Sequence, residues 1–307
     1  MFWDPSSPSE APLYILVRWL SFSAIVLAIG ALLFPRLVGS ALRSVVTEQT
    51  AQEVEKAVRA VTVGAGVAVL IAAALRLVMQ RAMLNAAFAP DVVPWRDAVS
   101  GTFGTGLWLQ IGGAAMTIVA ASQANYRRGF LAILAAGMLV FAPGLSGHAA
   151  SATPMALSLI ADAIHMLTAG AWVGILALLT FVATPMVRAH EPVKTAEATR
   201  AMVGAFSPVA LGSVGLLVAS GVYAGWRLVG SFEALFNTRY GAALLVKVAL
   251  LIGMLTLGAI NWRWLGPASG SPAGMVRLRR AAMGELLFAV AVLLVTAALV
   301  GRPSPTE

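Results

Sequence analysis

Apolar residues in this chain come in blocks of about 20, the length of helix that crosses a hydrocarbon core about 30 Å thick. Polar and charged residues are confined to short stretches between the blocks. The pattern predicts about eight transmembrane helices. The first covers residues 13–34 and stops at Pro35-Arg36, and a polar stretch over 43–56 leads into the second, 57–79. The third covers 102–121, and Tyr126-Arg127-Arg128-Gly129 turns it into a short fourth, 130–143. The fifth, 155–186, is longer than a bilayer requires and is expected to tilt or to extend beyond it. Spans at 202–229, 240–264 and 281–301 complete the series. There is no tandem repeat, and the connections are too short for a separate soluble domain. The expectation is an all-α, polytopic helical bundle forming a single transmembrane domain over 1–307.

Composition agrees with this pattern. Of the 307 residues 59% are hydrophobic and 11% charged, with a mean hydropathy of +0.86. A soluble domain carries about 25% charged residues, so something other than water must solvate this exterior. Cysteine is absent, which excludes disulfides and thiolate metal sites and leaves His, Met, Asp, Glu and backbone oxygen as possible metal donors. The net charge of +8 would suggest nucleic acid in a soluble protein. Here the charges sit in loops and read as topology signals and lipid-headgroup contacts, so membrane lipid is an expected partner and nucleic acid is not.

Lys and Arg divide unevenly between the two sets of loops. Thirteen fall on the side of loops 1–2, 3–4, 5–6 and 7–8, and six on the other. The positive side is expected to be cytoplasmic, placing both termini outward. The segment 1–12 carries Asp4 and Glu10 but no Lys or Arg. A secretory signal would begin with a basic region, so an uncleaved first helix is expected. No organelle-targeting feature stands out, and the reading is a multi-pass protein of a bacterial inner membrane.

The informative residues are polar ones at bilayer depth, where an unpaired charge costs several kcal/mol. Arg18, Gln110, Asp162, His165, Lys247 and Glu285 stand out. Asp162 and His165 are three apart and share a helix face. Trp172 continues that stripe, and Met155 and Met166 lie nearby. His148, in the loop before the fifth span, is expected on the same outer surface. Imidazole with thioether donors favours Cu(I). Asp162 either ligates the ion or accepts the proton of the far ring nitrogen of His165 and fixes its tautomer. The alternative is that Asp162 caps the helix, His165 packs at the interface and the methionines fill the core. Lys247, with Tyr240 on its face, needs a partner, and Asp162 lies at similar depth; otherwise its ammonium snorkels outward. Glu285 is expected to pair with Arg263 or Arg280. Arg18 lines the entrance or contacts headgroups, Gln110 reads first as interhelical glue, and His190 as a solvated loop residue. There is no P-loop, Rossmann glycine run or HExxH, and no enzyme is expected.

Gly147-His148-Ala149, then Ala161-Asp162-Ala163-Ile164-His165 and Ala171-Trp172-Val173-Gly174, resemble the copper-resistance protein D (CopD/PcoD) family. Phe206-Ser207 with Ser220-Gly221-Val222 is similar to that family's sixth span. Thr238 to Gly241, Leu244 to Lys247 and Gly258 to Asn261 are similar to its seventh. Gly101 to Trp108 is similar to the third span of full-length members. The likeness is strongest over 145–262. It implies a polytopic inner-membrane protein that takes copper ions from periplasm to cytoplasm, with His148, Asp162 and His165 as the copper residues. A periplasmic CopC-type copper-binding protein is the implied partner, expected as a separate chain because no CopC-like stretch is present. Two other readings remain at this level: a copper receptor or delivery factor without transport, and a b-type haem electron carrier.

Overall fold

A backbone inside lipid has no water to bond to, so each apolar stretch must close its hydrogen bonds internally, as a helix does. The structure, a computed structural model, describes residues 10–88, 92–123, 129–147, 149, 154–261, 263 and 272–306, and among these there is no strand. The helices are α1 (Pro12–Leu37), α2 (Gly39–Arg43), α3 (Glu48–Ala87), α4 (Trp95–Ala98), α5 (Gly101–Ser122), α6 (Phe130–Leu145), α7 (Met155–His190), α8 (Thr195–Val229), α9 (Phe232–Asn237), α10 (Arg239–Ile260) and α11 (Pro272–Leu299). Among the described residues seven helices are long and apolar enough to cross a membrane, and the apolar α6, at 16 residues, covers the expected short fourth span without reaching that length. The all-α polytopic membrane fold expected from the hydropathy pattern is the fold observed.

Boundaries differ where local chemistry extends a helix past its apolar block. The polar stretch before the second span is itself helical, so α3 runs for 40 residues. Thr47 caps it, its hydroxyl accepting from Thr50 N at 3.4 Å, and Glu55 reaches Arg59 one turn on at 2.8 Å, the spacing that supports an exposed helical turn. Pro35 lies inside α1, which continues to Leu37. At the other end of the chain α10 is α-helical to Ile260, and Asn261 and Arg263 beyond it are π-helical, toward the expected 264. α8 stops at Gly230, whose φ of 74° suits a residue without a Cβ.

α1 is the central post. On one side Ile25 and Ile29 pack with Val69 of α3 and Leu139 of α6. On the other, Phe34 joins Trp172 and Ile175 of α7, Met202 of α8, Met254 of α10 and Leu286 of α11. α7 is likewise interior, with 67% of its most apolar stretch buried against 11% for α10. Two π-helical turns, Gly170–Gly174 and Leu179–Ala183, interrupt α7. The first meets α1 backbone to backbone: a Cβ on Gly30 would stand 2.5 Å from the carbonyl carbon of Gly174. Such small-residue contacts matter in lipid, where close packing replaces the hydrophobic drive between helices.

The first and last described residues lie at one end of the bundle. Glu10 pairs with Arg302 at 3.4 Å, Arg302 donates to Arg239 O at 3.1 Å, and the Thr306 hydroxyl reaches Arg227 O at 3.2 Å. This is the end that the charge asymmetry is expected to turn outward, and it is called the outer end. At the inner end Glu55 bridges Arg43 and Arg59, Lys194 donates to Val45 O at 2.8 Å, and Glu191 accepts from the Thr47 amide and hydroxyl at 2.9 and 2.7 Å. The basic loops are thus tied to one another.

Candidate functional site

The first turns of α7 carry Ser158, Asp162 and His165, at i, i+4 and i+7 on one face. This face meets α8. His165 Nδ1 lies 3.0 Å from Ser220 Oγ, and Arg227 donates to Ser158 Oγ. Ser220 has one hydroxyl proton, which points back to its own helix, at Leu216 O (2.7 Å) and Leu217 O (3.1 Å). A hydroxyl whose proton is engaged offers only lone pairs. Nδ1 of His165 therefore carries the hydrogen, and Nε2 keeps the free lone pair. A metal-binding imidazole is held in just this way, one nitrogen donating to an oxygen so that the other can ligate.

Asp162 is half-buried and touches two further helices. On the α6 side a Cβ on Gly144 would stand 3.4 Å from Asp162 Oδ2, so the glycine makes room for the carboxylate. On the α10 side Lys247 is the ammonium facing Asp162, and it also lies within electrostatic reach of His165. Four helices thus converge on an Asp–His–Lys–Ser group in the outer half of the bundle. Lys247 lies within electrostatic reach of Asp162, the carboxylate expected as its partner.

The remaining predicted residues are dispersed. His148 lies outside the described residues; its loop leaves α6 just after Gly144, the residue that abuts Asp162. Met155 is exposed at the start of α7. Met166 packs with Ala163 in the apolar cluster of α1, α3 and α6 rather than against α8. Tyr240 is buried at the outer end among Val229, Ala243 and Leu299. Gln110 is fully buried and holds Arg76, Ser21 and Val69 O, and Arg18 lines a cavity with Arg76. Both sit on the α1–α3–α5 side, away from α8. His190 Nδ1 lies 2.9 Å from Met186 O at the inner end, exposed. Glu285 is buried and accepts from Asn261 Nδ2, and no arginine partner is recorded for it among the described residues; burial among α7, α10 and α11 selects the neutral amide over the expected arginine. Among the described residues no three His, Cys, Asp or Glu side chains come together.

Two turns along α7 from His165, Trp172 is 3% exposed and lines a cavity of about 1330 Å³. The cavity runs to the inner end between α7, α8, α10 and α11, past Thr180, Ser207, Asn261 and Glu285 to Arg188 and Arg279. It exists because α8 and α10 make few contacts with each other. Sequence reading noted Ser220 and Asn261 only as pieces of motifs. It counted Arg76 among the outer-side charges although the residue lies within the second span, 57–79, and the structure sets its guanidinium against Gln110 of α5.

Apolar helices of this length, close small-residue packing and charged groups turned inward define a polytopic helical membrane protein. Two family comparisons sharpen this. Residues 9–155 match the copper resistance protein D-like N-terminal domain, and residues 200–299 match copper resistance protein D. The chain belongs to the copper resistance protein D family. Asp162 and His165 fall between the two matched stretches. Among curated proteins, the copper transport protein CutJ of Bacillus subtilis (strain 168) is 34% identical over 169 residues, which is 55% of this chain and 30% of that relative's length. No solved structure matches the chain.

Proposed function

We propose that this protein passes copper ions through the bundle from the outer to the inner face of a bacterial inner membrane. The observation that carries the reading is the orientation of His165: Ser220 takes its Nδ1–H and leaves Nε2 with its lone pair, on the helix face that also carries Asp162 one turn away. Before copper arrives, Lys247 is the counter-charge of Asp162. An incoming cation competes with that ammonium for the carboxylate, so the site is neutral when empty and is not left as a bare anion in lipid. His148, on the loop that begins beside Asp162, completes the ligand set in this reading. The thioethers of Met155 and Met166 contribute nothing from the positions they hold.

Inward of the site, Trp172 separates the junction from the large inner cavity, and the ion leaves past Asn261 and Glu285. A membrane potential favours inward movement of a cation by about 2.3 kcal/mol per charge per 100 mV, so no nucleotide-driven domain is required. A periplasmic CopC-type protein is the proposed donor. A b-type haem would have His148 and His165 as its axial pair; a second haem near the inner face, which electron transfer across the membrane needs, would have only His190, about 37 Å along α7 from His165 at 1.5 Å per residue.

The test is copper bound and copper moved, measured on the same preparation. Purified protein should hold close to one copper per chain, and vesicles containing it should take copper up. His165→Ala should lose both. Binding that survives in the variant would remove the site. Binding without uptake by the native protein would leave a receptor or delivery role.

A further inference from the structure

The inner cavity, of about 1330 Å³, is walled mainly by aliphatic side chains, among them Leu176, Leu179, Val203, Leu211, Val214 and Leu255. Along α7 its lining runs from Trp172 to Arg188, about 24 Å at 1.5 Å per residue. Leu211, near the middle of α8, lines the cavity and is 66% exposed, so the space opens sideways at bilayer depth. Thr180 and Glu285 lie buried within it. Its inner end is basic: Arg188 of α7 and Arg279 and Arg280 of α11 line it, and all three are exposed. Among the described residues no carboxylate pairs with any of them, and the acidic side chain that lines the cavity, Glu285, bonds Asn261. The undescribed stretches that join helices at the inner end, 124–128 and 264–271, contain no Asp or Glu.

An apolar space open to hydrocarbon is filled by hydrocarbon, because water there would face walls it cannot bond to. A length of about 24 Å matches one leaflet, half of a bilayer that is about 40–45 Å thick with its headgroups. Arginines at the end of an apolar slot between transmembrane helices, on the side that the charge asymmetry turns to the cytoplasm, suit an anionic headgroup, whose phosphate a guanidinium fork holds through two oxygens. We propose that the cavity binds one anionic phospholipid of the inner leaflet, its acyl chains between α8 and α10 and its phosphate on Arg188, Arg279 and Arg280. The lipid supplies the wall that α8 and α10 leave open, its chains lying at Leu211 and screening Thr180 and Glu285 from the bilayer. The inference stands without the copper reading, since it uses neither Asp162 nor His165.

The experiment uses the full-length protein, reconstituted in vesicles of phosphatidylglycerol and phosphatidylethanolamine in equal amounts, extracted in detergent and weighed by native mass spectrometry. One phosphatidylglycerol per chain should survive extraction, in preference to phosphatidylethanolamine. Replacing both Arg279→Gln and Arg280→Gln should lower its retention roughly tenfold or more. Arg188→Gln, on a different helix, should lower it as well, so the outcome remains readable if the double variant does not fold. Ala210→Trp, on α8, fills the apolar body without touching the arginines and should also expel the lipid. Retention equal in native and variant proteins would mean ordinary boundary lipid, and equal retention of the two lipids would mean hydrocarbon filling without a headgroup site. Loss in the arginine variants but not in Ala210→Trp would place the lipid outside the cavity. A dimer without lipid would mean that a second copy covers the opening. Each of these results, or no retained lipid at all, would overturn the proposal.

Discussion

Replacing Ser220 by alanine removes the hydroxyl that accepts from His165 Nδ1 at 3.0 Å while deleting a single buried atom. With that acceptor gone, the proton is no longer confined to Nδ1, and part of the imidazole population places it on Nε2, the nitrogen that the proposed copper site requires. Loss of an oxygen that orients a metal-bound histidine typically weakens binding by about 10- to 100-fold, equivalent to about 1.4–2.7 kcal/mol. The lower end is comparable to one net hydrogen bond, about 1 kcal/mol. The assay is competition for Cu(I) against a chromogenic chelator, run on native protein, Ser220→Ala, Ser220→Thr and His165→Ala. Ser220→Ala should lie between native and His165→Ala, and Ser220→Thr, which keeps the hydroxyl, should stay near native. Ser220→Ala within about twofold of native, with His165→Ala strongly impaired, would mean that Ser220 does not set the tautomer and that the reasoning from its donor geometry is wrong.

Other outcomes follow from other parts of the fold. Gly30→Ala forces a methyl group to 2.5 Å from the Gly174 backbone and should cost at least about 1–3 kcal/mol by overpacking, seen as a lowered unfolding temperature; an unchanged temperature would show that α1 and the π turn separate easily. Glu285→Ala should keep outer-site copper binding near native while slowing vesicle uptake, and equal uptake would remove the inner cavity from the path. The hydroxyl of Thr50, then the hydroxyl and amide of Thr47, hold the Glu191 carboxyl below its usual range. A depressed folded-state value means that this loop contact is fully present above the ordinary carboxylate range and is lost as pH falls through the depressed value. Limited proteolysis of the α7–α8 loop should therefore accelerate at low pH in the native protein and be fast at neutral pH in Glu191→Gln; a native rate that does not change with pH would refute the contact.

The membrane fold was legible because a bilayer imposes a single rule, about 20 apolar residues per crossing, and blocks such as 13–34 or 57–79 satisfy it without reference to any partner. The Asp162–His165 pair was legible for a similar reason, since two residues three apart share a helix face wherever the helix lies. The facing of Lys247 toward Asp162 was anticipated from depth alone. Depth could not separate Arg18 and Gln110 from Asp162 and His165: they lie on the other side of α1, and hydropathy carries no information about the angle between helices. Met166 sits one residue from His165 and therefore turns toward a different neighbour.

What the sequence determined by itself is whatever depends on neighbours along the chain: the helical spans, the uneven distribution of basic loops, the absence of thiolate chemistry, and the presence of a carboxylate and an imidazole on one turn. Only the tertiary structure decided which side chains meet across helices. Ser220 meets His165, Gly144 makes room for Asp162, Asn261 rather than an arginine bonds Glu285, and Arg76 joins Arg18. The two π turns of α7 show the physical reason. A helical stripe can be counted forward only while the period stays near 3.6 residues, and contact with α1 at Gly30 and Gly174 coincides with the first break in that period. Beyond it, the direction a residue faces is set by packing between helices.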